Sequence, residues 1–302
     1  MQQLEQTTAV DESRAAEGLV DRLRDACSLT KPGIVLSNVL AAGFGMWLVS
    51  TDASLLPVVG GLGGLALLVA ACGAFNMAYE RDTDRRMERT ADRPVAAGRV
   101  SVWSATLFGV VLLVAASVVL LATTNLTAWL LGLAATFLYA AVYTPLKRVT
   151  TAAIPIGAVA GALPPVIGWT AMGGTISTAP LLLFAILFLW QFPHFLGIGL
   201  HRWRDYERAG LRFAPSPRTA HRTVWTSRLT FVGLVACCLA LGVDQGLSAL
   251  YISGALAGLL PLGVTVFAEV EEAEGWGRRV FLASLPFLPL FGLSLLLDGV
   301  IV

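Results

Sequence analysis

LLPVVGGLGGLALLVAACGAFNMAYERDTDRRMERTADRP, residues 55 to 94, joins two chemistries end to end. Residues 55 to 79 carry no charge, and then five acids and five arginines arrive in the fourteen residues from 80 to 93. A bilayer core about 30 Å thick is crossed by a helix of roughly 20 apolar residues, so the first part is long enough to span. The second part is too costly to place in lipid unpaired. The junction therefore marks a helix leaving a membrane, with its charge gathered at the exit.

Composition extends this reading to the whole chain. Of 302 residues, 56% are hydrophobic and 14% charged, more apolar surface than one soluble core of this size requires. Nine runs have spanning length, near 34–50, 55–79, 104–123, 127–145, 152–172, 180–200, 226–243, 249–268 and 280–298. They are rich in Leu, Ala, Gly and Val without strand alternation, so the predicted fold class is all-α integral membrane with nine transmembrane helices.

All 21 Lys and Arg lie in the N-terminal segment and in alternate connections. Four precede helix 1, six lie between helices 2 and 3, two between 4 and 5, seven between 6 and 7 counted into the start of helix 7, and two between 8 and 9. The positive-inside rule then predicts a cytoplasmic N-terminus, cytoplasmic charged loops and an outside C-terminus, in the inner (plasma) membrane of a prokaryotic cell. The formal net charge of +1 points to no nucleic-acid partner.

The segment DESRAAEGLVDRLRDACSLTKPG, residues 11 to 33, is too acidic for a signal peptide. Residues 1–33 are expected as a cytoplasmic amphipathic arm lying on the bilayer, with Leu19, Val20, Leu23 and Cys27 on one side. Cys27, Cys72, Cys237 and Cys238 show no CxxC pair or metal spacing and are expected to pack as small apolar residues. Residues 1–302 are expected as a single transmembrane domain, with charged loops 80–103 and 201–225 capping its site.

Asn76, Glu80 and Asp84 fall at i, i+4 and i+8. If helix 2 continues past its apolar run they form one polar stripe, about 6 Å between successive residues. Two carboxylates and an amide suit Mg²⁺, a hard cation that shares oxygen ligands with substrate phosphates. Asp82 lies off the stripe. The alternative is a solvated loop in which Glu and Arg merely balance. Economy speaks against it, because the chain spends charge almost nowhere else and a buried carboxylate is costly without a cation.

The stretch FLWQFPHFLGIGLHRWRDYERAGLRFAP, residues 188 to 215, also passes from an apolar span into mixed charge. His194, His201 and Asp205 are spaced i, i+7 and i+11, close to one helical face. Two such clusters four helices apart suggest a duplication that brings two acidic sites to one cytoplasmic mouth. A third cluster, AVYTPLKRVT, closes helix 4. Lys147 and Arg148 there either anchor the helix in headgroups or clamp a diphosphate, with Lys as a point charge, Arg as a bidentate fork and Tyr143 adding a hydroxyl one turn earlier. Metal sites, several cations and a greasy bundle are what ionising an allylic diphosphate requires: charge stabilisation for the leaving group and a dry chamber for the cation.

The motifs that follow carry a family resemblance. NMAYERDTDRRMERTADRPVAAGRVS (76–101) resembles the first aspartate-rich motif of the UbiA superfamily of intramembrane prenyltransferases. LTKPGIVLSN (29–38), YTPLKRVTTAAIPIGAVAGALPPVIGW (143–169), LWQFPHF (189–195) and RWRDYERAGLRFAP (202–215) extend it, with the pattern of the heme O synthase branch. The resemblance implies a UbiA-like bundle, a farnesyl diphosphate donor, a heme B acceptor, Mg²⁺ and a heme O product. A downstream heme A synthase or terminal oxidase assembly would consume that product, and the lipid bilayer is the remaining partner. It also implies that Asn76, Glu80 and Asp84 hold one Mg²⁺ and Asp205 helps hold a second. Arg89, Arg93, Lys147, Arg148 and Tyr143 would bind the diphosphate, with Lys31 as a further candidate. Where the family pattern has Asp this chain has Glu80, whose extra methylene moves the carboxylate along the stripe.

His194, flanked by Pro193 and Phe195, is expected to face protein rather than lipid, either packed or in contact with heme. Pro164 and Pro165 are expected to break helix 5 beside a substrate chamber, with Trp190 and Trp169 lining it. Two other readings stay open on sequence alone: a prenyltransferase acting on an aromatic or quinone-precursor acceptor, and a transporter, where broken helices and intramembrane charges mark an ion path.

Overall fold

The structure, a computed structural model, describes residues 18–49 and 54–301. Residues 1–17 of the expected arm lie outside the described residues. Helix α1 (18–30) is followed by α2 (Pro32–Val49), α3 (Leu55–Asp84), α4 (Val102–Thr123) and α5 (Leu126–Phe137). A π-helical turn, Leu138–Tyr143, joins α5 to the short α6 (Thr144–Leu146). Then come α7 (Ala153–Ala162), α8 (Pro164–Ala171), α9 (Thr178–His201), α10 (Trp203–Arg208), α11 (Ala220–Asp244), α12 (Ala249–Phe267), α13 (Ala273–Ser284) and α14 (Phe287–Ile301). No strand occurs among the described residues.

Among the described residues nine helical stretches are long and apolar enough to cross a membrane, and each coincides with a predicted span. Three of them are interrupted: α5–α6 by the π turn, α7–α8 at Leu163 ahead of Pro164 and Pro165, and α13–α14 at Pro286. A proline removes a backbone donor and clashes with the preceding turn, so the second and third breaks fall at prolines, whereas Pro193 and Pro261 stay within continuous helices.

Helix α4 shows why the solvent is lipid. Leu107, Val111, Val114 and Val118, spaced i, i+4, i+7 and i+11, are all exposed. The opposite face, with Ala105, Ala116 and Leu120, is buried against α3. In water such an outward apolar stripe would be a liability. Inside a bilayer the small residues draw helices together while the large ones meet acyl chains. The same rule governs α2 against α8: a Cβ added at Gly168 would overlap the Ala42 carbonyl, and one at Gly45 would overlap the Pro165 carbonyl.

Helix α3 positions the site. Its 30 residues reach about 45 Å at 1.5 Å per residue, well beyond a core of about 30 Å, so its last turns carry Asn76, Glu80 and Asp84 out along the exit. The charged segments converge on that end. Arg99 Nε donates to Asp25 Oδ1 of α1 at 3.0 Å, Arg89 reaches Tyr206 of α10, the Lys147 carbonyl accepts from Arg212 N and Phe213 N, and Arg204 pairs with Glu274 of α13 at 3.1 Å. Away from that end, the buried Asp298 carboxylate accepts from the backbone N–H groups of Ser248 and Tyr251 at 3.0 and 3.4 Å, capping α12 from α14.

Gly168→Ala is expected to destabilise the protein by about 1–3 kcal/mol through overpacking at the α2–α8 crossing. Gly43→Ala, on α2 with open space around it, should leave stability unchanged or slightly raised. Thermal unfolding of the two variants in detergent, side by side, checks the crossing.

Candidate active site

Asn76, Glu80 and Asp84 do form one stripe, and it is buried: their exposures are 1%, 6% and 1%. Each meets a cation. Arg93 Nη1 donates to both Asp84 oxygens, at 2.8 and 2.9 Å. Lys147 Nζ pairs with Glu80 Oε1. Lys31 Nζ donates to Asn76 Oδ1. The loop after α3 makes the first pairing possible by folding back tightly, with Thr90 Oγ1 donating to the Asp84 carbonyl at 2.9 Å and Arg85 Nε to the Ala96 carbonyl at 2.7 Å.

The π turn serves the stripe from the other side. Thr144 Oγ1 donates to the Tyr139 carbonyl at 2.9 Å and accepts from Asn76 Nδ2 at 3.3 Å. A hydroxyl has one hydrogen to give, so Thr144 orients the amide and leaves Asn76 Oδ1 facing Lys31. Such single π turns recur at functional sites.

Lys31, the outlying candidate from sequence, sits at the centre. It joins α1 to α2 with φ of 53°, a left-handed conformation that costs a non-glycine residue roughly 1–2 kcal/mol. Among the described residues no carboxylate pairs with it; its one polar partner is Asn76. Burial, and after it the positive charge of Arg93, pull its ammonium down to about 7. Arg89 also lacks a carboxylate among the described residues and lies over the Tyr206 ring, donating to its hydroxyl at 3.2 Å. Arg89, Arg93 and Lys147 thus meet two carboxylates, and Lys31 is poised to add a fourth positive charge when an anion binds beside it. The surplus favours an anion.

A cavity of about 450 Å³ opens beside this cluster. Lys31, Arg89, Tyr143 and Tyr206 line its polar end, and Leu65, Leu68, Ile167, Leu187 and Leu288 are among its apolar walls. Pro164, Trp190 and His194 line it too. Trp169 does not: it is buried, and its indole donates to the Thr175 carbonyl at 2.9 Å, which corrects the expectation that it borders the chamber. Arg148 also stands outside the lining, packed over Tyr79 and donating to its carbonyl at 3.0 Å. Asp205 pairs with Arg208 of its own helix and stands 3.9 Å from Arg202, likewise outside the lining. Its neighbour Tyr206 makes the link to the loop after α3 through Arg89. Tyr206, Tyr139, Gln191 and Thr144 went unnoticed as site residues in the sequence, although three of them stand inside quoted motifs.

The donor set fits a hard dication. Two carboxylates with an amide oxygen are ligands that Mg²⁺ completes with phosphate and water; here each is taken by a cation, Asp84 by Arg93, Glu80 by Lys147 and Asn76 by Lys31. Among the described residues no third His, Cys, Asp or Glu joins them, so the rest of a coordination shell would come from an anionic ligand.

The model of the UbiA prenyltransferase family matches residues 38–285. A protoheme IX farnesyltransferase of Anaeromyxobacter dehalogenans is 37% identical over 97% of this chain and 99% of its own length. One from Sorangium cellulosum is 41% identical over 78% of this chain and 85% of its own. Two solved structures share the fold. Digeranylgeranylglyceryl phosphate synthase matches 93% of this chain and all of its own at 13% identity with a TM-score of 0.78. A UbiA homolog from Archaeoglobus fulgidus bound to GPP and Mg²⁺ matches 90% and 99% at 18% identity with a TM-score of 0.64.

Removing one partner of a buried ion pair leaves an uncompensated charge, a loss of about 3–5 kcal/mol. Lys147→Met should therefore lower the thermal midpoint strongly, and adding Glu80→Gln should recover most of the loss. Equal destabilisation in the single and double variants would show that the pair is not what Lys147 supports.

Proposed function

The chain belongs to the UbiA prenyltransferase family, and from that premise we propose that it transfers the farnesyl group of farnesyl diphosphate to a vinyl group of heme B, giving heme O and diphosphate. The observation that carries the reading is the surplus of cations gathered on the buried Asn76, Glu80 and Asp84, beside an apolar cavity that Lys31 and Arg89 line. The choice of farnesyl and heme rests on the relatives that bear the name protoheme IX farnesyltransferase.

Lys31, Arg89, Arg93 and Lys147 bind the diphosphate oxygens. As the bond between farnesyl C1 and oxygen breaks, negative charge moves onto the diphosphate, and these positioned cations stabilise it. Asn76, Glu80 and Asp84 would hold Mg²⁺, which would supply further charge neutralisation, and Asp205 would reach a second ion only by leaving Arg208. The leucine and isoleucine walls keep water from the allylic cation. The vinyl carbon then bonds to C1, and water adds to the cation left on the porphyrin side and releases a proton. Tyr143, beside Lys147, adds a hydroxyl toward the leaving group. The mouth faces the cytoplasm of a prokaryotic plasma membrane, as the placement of Lys and Arg implies, and heme O passes to a heme A synthase or a terminal oxidase.

Membranes containing the protein, given farnesyl diphosphate, heme B and Mg²⁺, should form a farnesylated, hydrated heme by mass spectrometry, and EDTA should abolish it. Asp84→Ala should lower the rate by about 100-fold or more, the scale of losing one charge-stabilising group, and Lys31→Met should raise KM for farnesyl diphosphate with little change for heme. Prenylation of 4-hydroxybenzoate in place of heme would overturn the acceptor; folded protein that prenylates nothing would overturn the reaction. Alkaline phosphatase fused at the C-terminus should be active, and activity from a fusion in the 85–101 loop instead would reverse the orientation.

A further inference from the structure

His194 of α9 is held at one nitrogen and open at the other. Its ring stacks on Trp190, with centroids 4.7 Å apart and planes at 24°, and Nδ1 lies 2.8 Å from the Ser284 hydroxyl at the end of α13. That hydroxyl has a single hydrogen. Ser284 places it on the Phe281 carbonyl, 2.6 Å away, so toward His194 its oxygen only accepts. Nδ1 must then carry the proton. The rings around it, Trp190, Phe195 and Phe281, are uncharged, so nothing in contact supports a second proton, and a neutral imidazole protonated at Nδ1 has its lone pair on Nε2.

Nε2 makes no hydrogen bond among the described residues and is not one of the sealed, unpartnered atoms, while His194 lines the cavity. The lone pair therefore meets open space. The block is rigid: Trp190 Nε1 donates to the Ser284 carbonyl at 3.0 Å, so serine, imidazole and indole hold one another across α9 and α13. An imidazole nitrogen whose tautomer is set by a hydrogen bond at its other nitrogen is the usual form of a metal-ligating histidine.

We propose that His194 Nε2 ligates the iron of the heme substrate and that Ser284 is the positioning residue that presents it. The proposal rests on the heme reading above and assigns where that substrate is gripped, at the wall formed by α9 and α13 rather than at the diphosphate mouth.

The test uses the full chain in lipid nanodiscs, titrated with ferrous heme B and followed by absorption and by resonance Raman at the iron–imidazole stretch. Wild type should show that stretch. His194→Ala should lose it, and free imidazole should restore a ligated spectrum. Ser284→Ala should shift the stretch and weaken heme binding by roughly 10- to 100-fold, the scale for losing an outer hydrogen bond to a ligand, and raise KM for heme but not for farnesyl diphosphate; Ser284→Thr should restore both. Product formation by a wild type without the stretch, or an unchanged stretch in His194→Ala, overturns the ligation and leaves the reaction standing. A Ser284→Ala protein indistinguishable from wild type overturns the positioning role. Wild type that neither binds heme nor farnesylates it removes the heme reading itself, and this proposal with it.

Discussion

A carboxylate at membrane depth needs a cation against it, and most of this molecule's architecture answers that need. Glu80 and Asp84 are desolvated by the same bundle that makes the chain stable in lipid, and water is not there to screen them. Their partners come from three different places in the chain: Lys147 from the end of the α5–α6 crossing, Arg93 from the loop that folds back under α3, and Lys31, through Asn76, from the α1–α2 junction. Each pairing fixes a segment that would otherwise be a free connection. The polar end of the cavity is assembled by neutralisation as much as by packing.

The same pairings leave the site charged in a useful way. A stripe neutralised one for one would be inert toward an anion. Here Lys31 and Arg89 bring positive charge with no carboxylate of their own among the described residues, and the left-handed backbone at Lys31 holds its ammonium inside despite a local cost. An arriving diphosphate would relieve that imbalance and give any bound dication the oxygens that the stripe lacks. Binding and charge stabilisation thus draw on one arrangement. The apolar walls behind it come from side chains that the membrane environment required in any case.

Elsewhere in the bundle polar groups are satisfied by hydrogen bonds. Asp298 caps α12, Gln191 Nε2 donates to the Ala158 and Leu187 carbonyls at 3.0 and 3.1 Å, and Ser284 closes the chain from Phe281 to His194. In hydrocarbon a polar group gains by finding a partner within the protein, and these three side chains are each held by one. Rigidity of this kind is what a chamber for a reactive cation needs.

The nine spans, their alternation of connections with and without Lys and Arg, the Asn76–Glu80–Asp84 stripe and the likeness to intramembrane prenyltransferases were all legible in the amino-acid sequence. Span and stripe depend on local period and on the solvent, and both are written residue by residue. Partner choice is different, because Lys31 lies 45 residues from Asn76 and His194 lies 90 residues from Ser284. Nothing local distinguishes Lys31, which occupies the centre of the site, from Arg148, which is spent on Tyr79. Nor does periodicity separate Trp190, inside the cavity wall, from Trp169, which braces the segment at Thr175. Which cation meets which carboxylate, and which ring nitrogen is left with a lone pair, follow from helices crossing at close approach, and only the tertiary structure sets those crossings.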